Sequence, residues 1–124
     1  MFKENSKAIY LQIAERIYDA VLAGELHPAD RLPSVRDYAI MVQVNPNTVM
    51  RTYDVLSRQD IIVNRRGIGY FLADDAPEKV RLLRSRQLLD EDIVEVFRQC
   101  SLLGITPQQI ADSYNDYLNK QKKQ

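Results

Sequence analysis

The sequence has little cysteine, histidine or glycine, and it lacks long apolar runs. Its single cysteine, Cys100, cannot form an internal disulfide, and one cysteine with one histidine cannot complete a zinc site without carboxylate ligands. No apolar run approaches the roughly 18 residues needed to cross a bilayer, and the first residues lack the apolar region of a signal peptide. We therefore expect a cytoplasmic protein with no metal, no cofactor and no membrane partner.

A net charge is also lacking, since 17 basic side chains balance 17 acidic ones. The whole-chain charge therefore points to no class of partner. With 124 residues, 45% of them hydrophobic, the chain resembles one globular domain or a small domain with an appendage. The sequence offers no nucleophile and base pair, no phosphate-binding glycine loop and no set of metal ligands, which argues against an enzyme.

Two helices are predicted before residue 45. The first runs from about Ala8 to Ala23 and ends at Gly24. Apolar residues recur in it at a spacing of four: Ile9, Ile13, Ile17 and Val21. A proline-containing loop comes next, with a short extended piece at Arg31–Leu32. Ser34 is a plausible N-cap of the second helix, which extends to about Met41.

A third helix is predicted from Pro46 to about Gln59, because Asn45 is a capping residue placed directly before a proline. Its inward face carries Val49, Tyr53 and Leu56. Asn45 fits a helix cap better than a base contact. Two β-prone runs then form a predicted hairpin, Ile61–Val63 and Tyr70–Leu72, with Asn64–Gly69 as its tip. The sequence from Asp74 to Pro77 closes this region.

The remainder of the chain is predicted to be helical from Glu78, broken at Gly104, restarted at Thr106–Pro107 and frayed after Lys120. Residues spaced by seven form two adjacent rows: Leu82, Leu89, Val96 and Leu103, and beside them Arg86, Ile93 and Cys100. This spacing is typical of a surface that packs against another helix. Cys100 fits a small buried residue in that surface better than a redox sensor.

Three helices, a tight turn between the second and third, and a two-stranded hairpin make the winged helix-turn-helix order. The fold class predicted is therefore mainly α with a small β-hairpin wing. In this architecture the third helix fits the major groove of DNA, which is about 12 Å wide. The second helix braces the third, and the wing reaches the neighbouring backbone or minor groove.

The local charge agrees with such an interface. The stretch from Arg31 to Arg66 contains six arginines and three aspartates, so it carries a net charge of +3 although the whole chain is neutral. Arginine suits bidentate contact with phosphate or with the guanine edge. Arg65 and Arg66, at the hairpin tip, fit DNA contact and also fit protection of an exposed strand edge.

Three motifs together resemble the DNA-binding domain of the GntR family of bacterial transcription regulators. They are LPSVRDYA at 32–39, VNPNTVMRTYDVL at 44–56 and RGIGYF at 66–71. The resemblance covers roughly Ile9 to Leu72, over half of the chain. The combination is far more specific than any one of its parts.

The resemblance implies which residues contact double-stranded operator DNA. It assigns DNA contacts to six positions: Arg36, Asn47, Thr48, Arg51, Arg66 and Gly67. Arg31 and Ser34 are implied phosphate contacts. Family members often have Ser, Thr or Arg where this chain has Pro46, so one polar contact is missing and the half-site sequence is not transferable.

The predicted domains are a winged helix-turn-helix over 1–75 and a two-helix dimerisation appendage over 76–124. The 49 residues after Asp75 are too few to enclose a ligand pocket of the usual ~300–1,000 Å³. An appendage of this size resembles the short YtrA-like subfamily, in which it dimerises. The predicted dimer contacts are Leu82, Leu89, Ile93, Val96 and Leu103.

The resulting hypothesis is a homodimeric repressor that binds a pseudo-palindromic operator. The alternative is a winged-helix module that binds protein instead of DNA, and the retained arginines argue against it. Regulation stays open between an unidentified small-molecule effector, in a cleft between the domains or at the dimer interface, and control by abundance alone.

Overall fold

A computed structural model describes residues 7–122 and confirms a mainly helical chain with a two-stranded wing. The elements in chain order are α1 (Ile9–Leu22), α2 (Val35–Val42), α3 (Pro46–Arg58), β1 (Ile62–Arg65), β2 (Gly69–Leu72), α4 (Ala76–Gln87), a π-helical turn (Leu88–Asp92), α5 (Val94–Leu102) and α6 (Pro107–Lys122). The chain divides into two compact units, the first ending at Leu83 and the second beginning at Arg84. Across residues 7–122, no helix is both long enough and apolar enough to span a membrane.

Side-chain caps set the starts of α2 and α3. The hydroxyl of Ser34 accepts a hydrogen bond from the Asp37 N–H at 3.1 Å, and the side-chain oxygen of Asn45 accepts one from the Asn47 N–H at 2.8 Å. Both predicted starts are confirmed. Between the helices, Gln43 adopts a left-handed conformation with φ +59°, which ends α2 and turns the chain into α3 within a few residues.

The core of the first unit lies where α3 packs against α1, α2 and β1. Val49, Tyr53 and Leu56 are fully buried, as predicted for the inward face of α3. Of the four apolar residues that recur at a spacing of four in α1, Ile13, Ile17 and Val21 are buried, whereas 42% of Ile9 is exposed. It lies in the first turn of α1, one turn before Ile13, the first residue of the helix that the core covers.

The hairpin is longer than predicted and its tip is shorter. Asn64 pairs with Tyr70 and Arg65 with Gly69, so the loop between the strands contains only Arg66–Ile68. The prediction that Asn64–Gly69 forms the tip is therefore wrong: backbone pairing continues through the polar residues. The extended piece predicted at Arg31–Leu32 is confirmed by an antiparallel bridge between Arg31 and Phe71.

Helix α4 begins at Ala76, two residues before the predicted start at Glu78. Ala76 and Val80 are fully buried in the core of the first unit. Pro77 is compatible with a first helical turn, whose N–H groups have no partner within the helix. The domain boundary predicted after Asp75 therefore lies inside the first unit, because the start of α4 packs with the winged helix.

The long helix predicted from Glu78 to Leu103 is interrupted at Leu88–Asp92. There the Ile93 N–H donates to the Leu88 carbonyl at 2.9 Å, a bond five residues back that marks a π-helical turn. Such a turn contains an extra residue, so the residues after it are rotated around the helix axis. The row Leu82, Leu89, Val96 and Leu103 therefore does not form one face of a regular helix.

The break and restart before α6 agree with the sequence. Gly104 has φ +70°, a conformation suited to ending a helix. Thr106 and Gln109 then form a reciprocal cap, in which the Thr106 N–H donates to the Gln109 side chain at 2.8 Å and the Gln109 N–H donates to the Thr106 hydroxyl at 3.2 Å. Helix α6 continues to Lys122, through part of the tail predicted to fray, while residues 123–124 lie outside the described range.

Candidate nucleic-acid interface

Helix α3 presents a polar face opposite its buried one. Asn47 and Arg51 are exposed and Thr48 is partly exposed, at positions that share one side of the helix. The helix has 13 residues and is therefore about 20 Å long. This length and polarity suit insertion into a major groove.

Arg51 is held by a contact with α1. Its guanidinium lies over the ring of Tyr10, 3.9 Å from the ring centroid. The hydroxyl of the neighbouring Thr52, which is fully buried, donates to the Tyr10 carbonyl at 2.7 Å. Neither Tyr10 nor Thr52 was predicted as part of the interface, and no periodic pattern marks a contact between α1 and the polar side of α3.

Tyr53 connects the three motifs of the first unit. From α3, its hydroxyl donates to the Pro33 carbonyl at 2.7 Å, and its ring meets the ring of Tyr70 in the wing edge to face at 4.8 Å. Burial raises the pKa of Tyr53, and the nearby phenols of Tyr38 and Tyr70 raise it further. The hydroxyl therefore stays protonated and fixes α3 relative to the residues before α2, while the ring fixes α3 relative to the wing.

The start of α2 exposes two predicted contact residues. Arg36 is exposed in the first turn. The Ser34 hydroxyl caps the helix as an acceptor, which leaves its proton available to donate to a phosphate oxygen. The N–H groups at the start of a helix also favour an anion there.

The wing arginines differ in their surroundings. Arg66 and Gly67 are exposed in the loop, where Gly67 has φ +75°. The Arg65 guanidinium lies over the Phe71 ring, 4.7 Å from its centroid. The Arg31 guanidinium donates to the Ile68 carbonyl at 2.5 Å. Two of the predicted DNA contacts thus also make contacts within the wing.

In the stretch from Arg31 to Arg66, exposed arginines outnumber exposed acidic side chains. All six arginines between residues 31 and 66 are exposed, as are the three aspartates of that stretch: Asp37, Asp54 and Asp60. The net charge of +3 is therefore carried on solvent-facing side chains. In the described part of the chain, no group of three His, Cys, Asp or Glu side chains is arranged to hold a metal ion.

Sequence reasoning missed two exposed apolar side chains beside the predicted contacts. Met50 on α3 is 43% exposed and Ile68 at the wing tip is 57% exposed. Met50 directly precedes the predicted contact Arg51, and Ile68 directly follows the predicted contact Gly67. Apolar side chains in DNA complexes meet the thymine methyl or the sugars of a groove. Their exposure results from the fold and has no signal in the pattern of the sequence.

The second unit exposes a large apolar surface. Of the predicted dimer contacts in it, Leu89, Val96 and Leu103 are more than half exposed and Ile93 is partly exposed. Leu82, in the first unit, is 47% exposed. The sequence prediction missed Phe97, which with Cys100 and residues of α6 lines an open groove of about 580 Å³. Further exposed apolar residues of this unit are Leu88, Val94, Leu102, Tyr114 and Tyr117.

Known proteins share both the sequence and the fold. The sequence pattern of bacterial regulatory proteins of the gntR family matches residues 9–72. The chain is 41% identical to the HTH-type transcriptional regulator YhcF of Bacillus subtilis, over 92% of this chain and 93% of that protein. It is 32% identical to the HTH-type transcriptional repressor YtrA of the same species, over 82% of this chain and 77% of that protein. A GntR-family transcriptional regulator of Bacteroides thetaiotaomicron superposes with a TM-score of 0.80 at 46% identity, over 91% of this chain and 99% of that one.

Proposed function

The chain belongs to the GntR family and is a DNA-binding transcription regulator of the YtrA-like type, and on that premise we propose that it acts as a homodimeric repressor at a pseudo-palindromic operator. The observation that carries the proposal is the polar face of α3, flanked by exposed arginines of α2 and the wing.

In the proposed complex, α3 enters the major groove. Asn47, Thr48 and Arg51 face the base edges and the adjacent phosphates, with Met50 beside them. Arg36 and Ser34, at the start of α2, contact the phosphate backbone at the groove edge. The wing tip, with Arg66 and Gly67, reaches the minor groove or its backbone. This division of contacts agrees with the general docking geometry of helix-turn-helix proteins.

A second copy of the chain is the proposed partner of the second unit. Within residues 84–122 no side chain is buried, although apolar residues occupy much of α5 and α6. A unit of this size without a core of its own does not remain folded in water, and such units are usually stabilised by association with another protein surface that covers their apolar side chains. Two copies would each supply one α3, which matches the symmetry of a palindromic site.

Repression is proposed because the YtrA relative, 32% identical to this chain, is named a repressor. The cytoplasm is the proposed location, since that is where bacterial DNA lies. The groove of about 580 Å³ is of small-molecule size. An effector bound there would act on the proposed dimer surface.

Binding of a protein partner by the wing and α3 is the competing function. The exposed arginines and the small number of apolar side chains on this surface favour a polyanion over a protein hot spot, which is rich in buried aromatic residues.

Selection of bound fragments from the source genome tests the proposal. We expect enrichment of one sequence with two inverted half-sites spaced by a helical turn, and sedimentation of the free protein at twice 14.4 kDa at micromolar concentration. Recovery of fragments with no common sequence would overturn sequence-specific repression. A 14.4 kDa monomer that binds a single half-site would overturn the dimer.

A further inference from the structure

Arg31 lies in an extended segment that runs antiparallel beside β2 and forms an isolated bridge with it. Its backbone pairs with Phe71, and the Leu32 N–H donates to the Tyr70 carbonyl at 2.8 Å. On the other side, the Leu72 N–H donates to the Asp30 carbonyl at 2.8 Å. The free edge of β2 is therefore covered by the residues that precede α2, and the Arg31 side chain starts directly beside the hairpin.

The side chain of Arg31 runs along the hairpin to its tip. One terminal nitrogen, Nη2, donates to the Ile68 carbonyl at 2.5 Å. The guanidinium also occupies the space above Gly69, where a Cβ atom would lie 2.9 Å from Nε and 3.2 Å from Nη2. Gly69 has φ +147°, so both its backbone and its missing side chain suit this close approach.

Little else fixes the orientation of the tip. Arg66, Gly67 and Ile68 are all exposed, and the loop is closed by a bond from the Ile68 N–H to the Arg65 carbonyl at 2.9 Å. An exposed hairpin tip without core packing is mobile unless it is tied down. The Arg31 guanidinium ties the tip to the body of the winged helix.

We propose that Arg31 is a positioning residue for the wing. It holds the Ile68 carbonyl and so presents Arg66 and Gly67 to the DNA, and its effect on binding passes through the wing tip and not through a phosphate of its own. The family resemblance implies a direct phosphate contact for this residue, and the geometry assigns it a different task. The inference rests on the proposed wing contact with DNA.

A double-mutant cycle tests the proposal with the full-length protein and its selected operator. Arg66→Gln removes a charged contact and should weaken binding about tenfold. Arg31→Gln should weaken it by a similar factor. If Arg31 acts through the tip, the double variant should bind within about twofold of Arg66→Gln alone. Arg81→Gln, a charge loss at an exposed position of α4 outside the stretch from Arg31 to Arg66, is the matched control and should bind as the wild type does.

Hydroxyl-radical footprinting of the sugars, combined with dimethyl sulfate footprinting of the guanine N7 atoms, supplies a readout that general destabilisation would not give. Arg31→Gln should lose protection of the sugars under the wing and keep protection of the guanine N7 atoms under α3. Gly69→Ala keeps every charge, but its Cβ displaces the guanidinium, so it should lose the same wing protection.

The outcomes separate the two claims. Wild-type affinity of Arg66→Gln would refute the proposed wing contact itself. Losses that multiply to about a hundredfold in the double variant, or a footprint of Arg31→Gln that keeps the wing protection, would overturn the positioning role while leaving the wing contact intact.

Discussion

The guanidinium of Arg51 lies over the ring of Tyr10, with its central carbon 3.9 Å from the ring centroid. A cation placed over an aromatic face is attracted by the ring electrons. The contact leaves the arginine exposed but restricts where its long side chain can point. An arginine whose position is fixed before binding loses less conformational freedom on meeting DNA, so in the proposed complex α1 supports recognition by ordering Arg51.

Replacement of Tyr10 should therefore weaken operator binding without unfolding the protein. Immobilising a long side chain on binding costs about 0.5–1.5 kcal/mol, so loss of the ring that orders Arg51 in Tyr10→Leu should reduce affinity about two- to tenfold per half-site. Tyr10→Phe keeps the ring and should bind as the wild type does. Fluorescence anisotropy with a labelled operator measures both. Equal affinities of the Leu and Phe variants would contradict a role for the stacked ring.

Association should depend on the apolar surface of the second unit. Phe97, 42% exposed on α5, lies in the lining of the groove, so Phe97→Glu would place a charge in the proposed dimer interface and should give a monomer of 14.4 kDa in sedimentation. The loss of the dimer should also lower the affinity for the operator. Asn119→Glu adds the same charge on an exposed polar position of α6 and should remain a dimer. If the Phe97→Glu protein remains a dimer, the groove lined by Phe97 is not the dimer interface.

The sequence predicted the first unit better than the second. Caps at Ser34 and Asn45 are local hydrogen bonds, and local chemistry suffices to place the starts of α2 and α3. The contacts of Tyr10 with Arg51 and of Arg31 with Ile68 join residues distant in sequence, so only the packed fold reveals them.

Across residues 82–96, which span the end of the first unit and the start of the second, the seven-residue spacing of Leu82, Leu89 and Val96 predicts one uninterrupted helix. The π-helical turn at Leu88–Asp92 defeats that prediction, because one extra residue in a turn changes the face on which all later residues lie. The turn contains three consecutive acidic residues, Asp90, Glu91 and Asp92, and such residues in a sequence do not distinguish a π-helical turn from a regular helix. The dimer contacts and DNA contacts remain predictions.

Alkaline unfolding should report on Tyr53. Burial raises its pKa above the ordinary value of 10.0, so the folded state keeps a proton that the unfolded state loses. The stabilisation from this group is fully present below pH 10 and declines as the pH rises above it. Tyr53→Phe should lower the free energy of unfolding by about 0.5–1.5 kcal/mol at neutral pH, because the hydrogen bond to Pro33 is lost. Above pH 10 the free energy of unfolding of this variant should decline less steeply than that of the wild type.

Urea denaturation at a series of pH values from neutral to alkaline measures that difference. Tyr10→Phe, which removes a hydroxyl from a partly buried ring in the same unit, is the control and should behave like the wild type across the series. Parallel alkaline declines in wild type and Tyr53→Phe would show that the buried hydroxyl does not set the profile.

Salt should weaken operator binding steeply although the chain carries no net charge. If six or more phosphates are neutralised by the arginines of two winged-helix units, affinity should fall by about a thousandfold or more between 50 and 200 mM salt. Titrations at several salt concentrations give the slope, which is about −0.9 for each neutralised phosphate. A flat dependence would exclude the arginine surface as the source of affinity.

Operator binding by Arg51→Ala is the decisive measurement for recognition through α3. Because Arg51 is exposed on the polar face of α3, its loss should leave the circular dichroism spectrum and the sedimentation of the protein unchanged. Arg81→Ala, at an exposed position of α4 outside the proposed interface, is the control for loss of charge. We predict that Arg51→Ala binds the selected operator about a thousandfold more weakly, at the level of unrelated DNA, while Arg81→Ala binds it normally. Undiminished binding of the operator by Arg51→Ala would contradict recognition through α3.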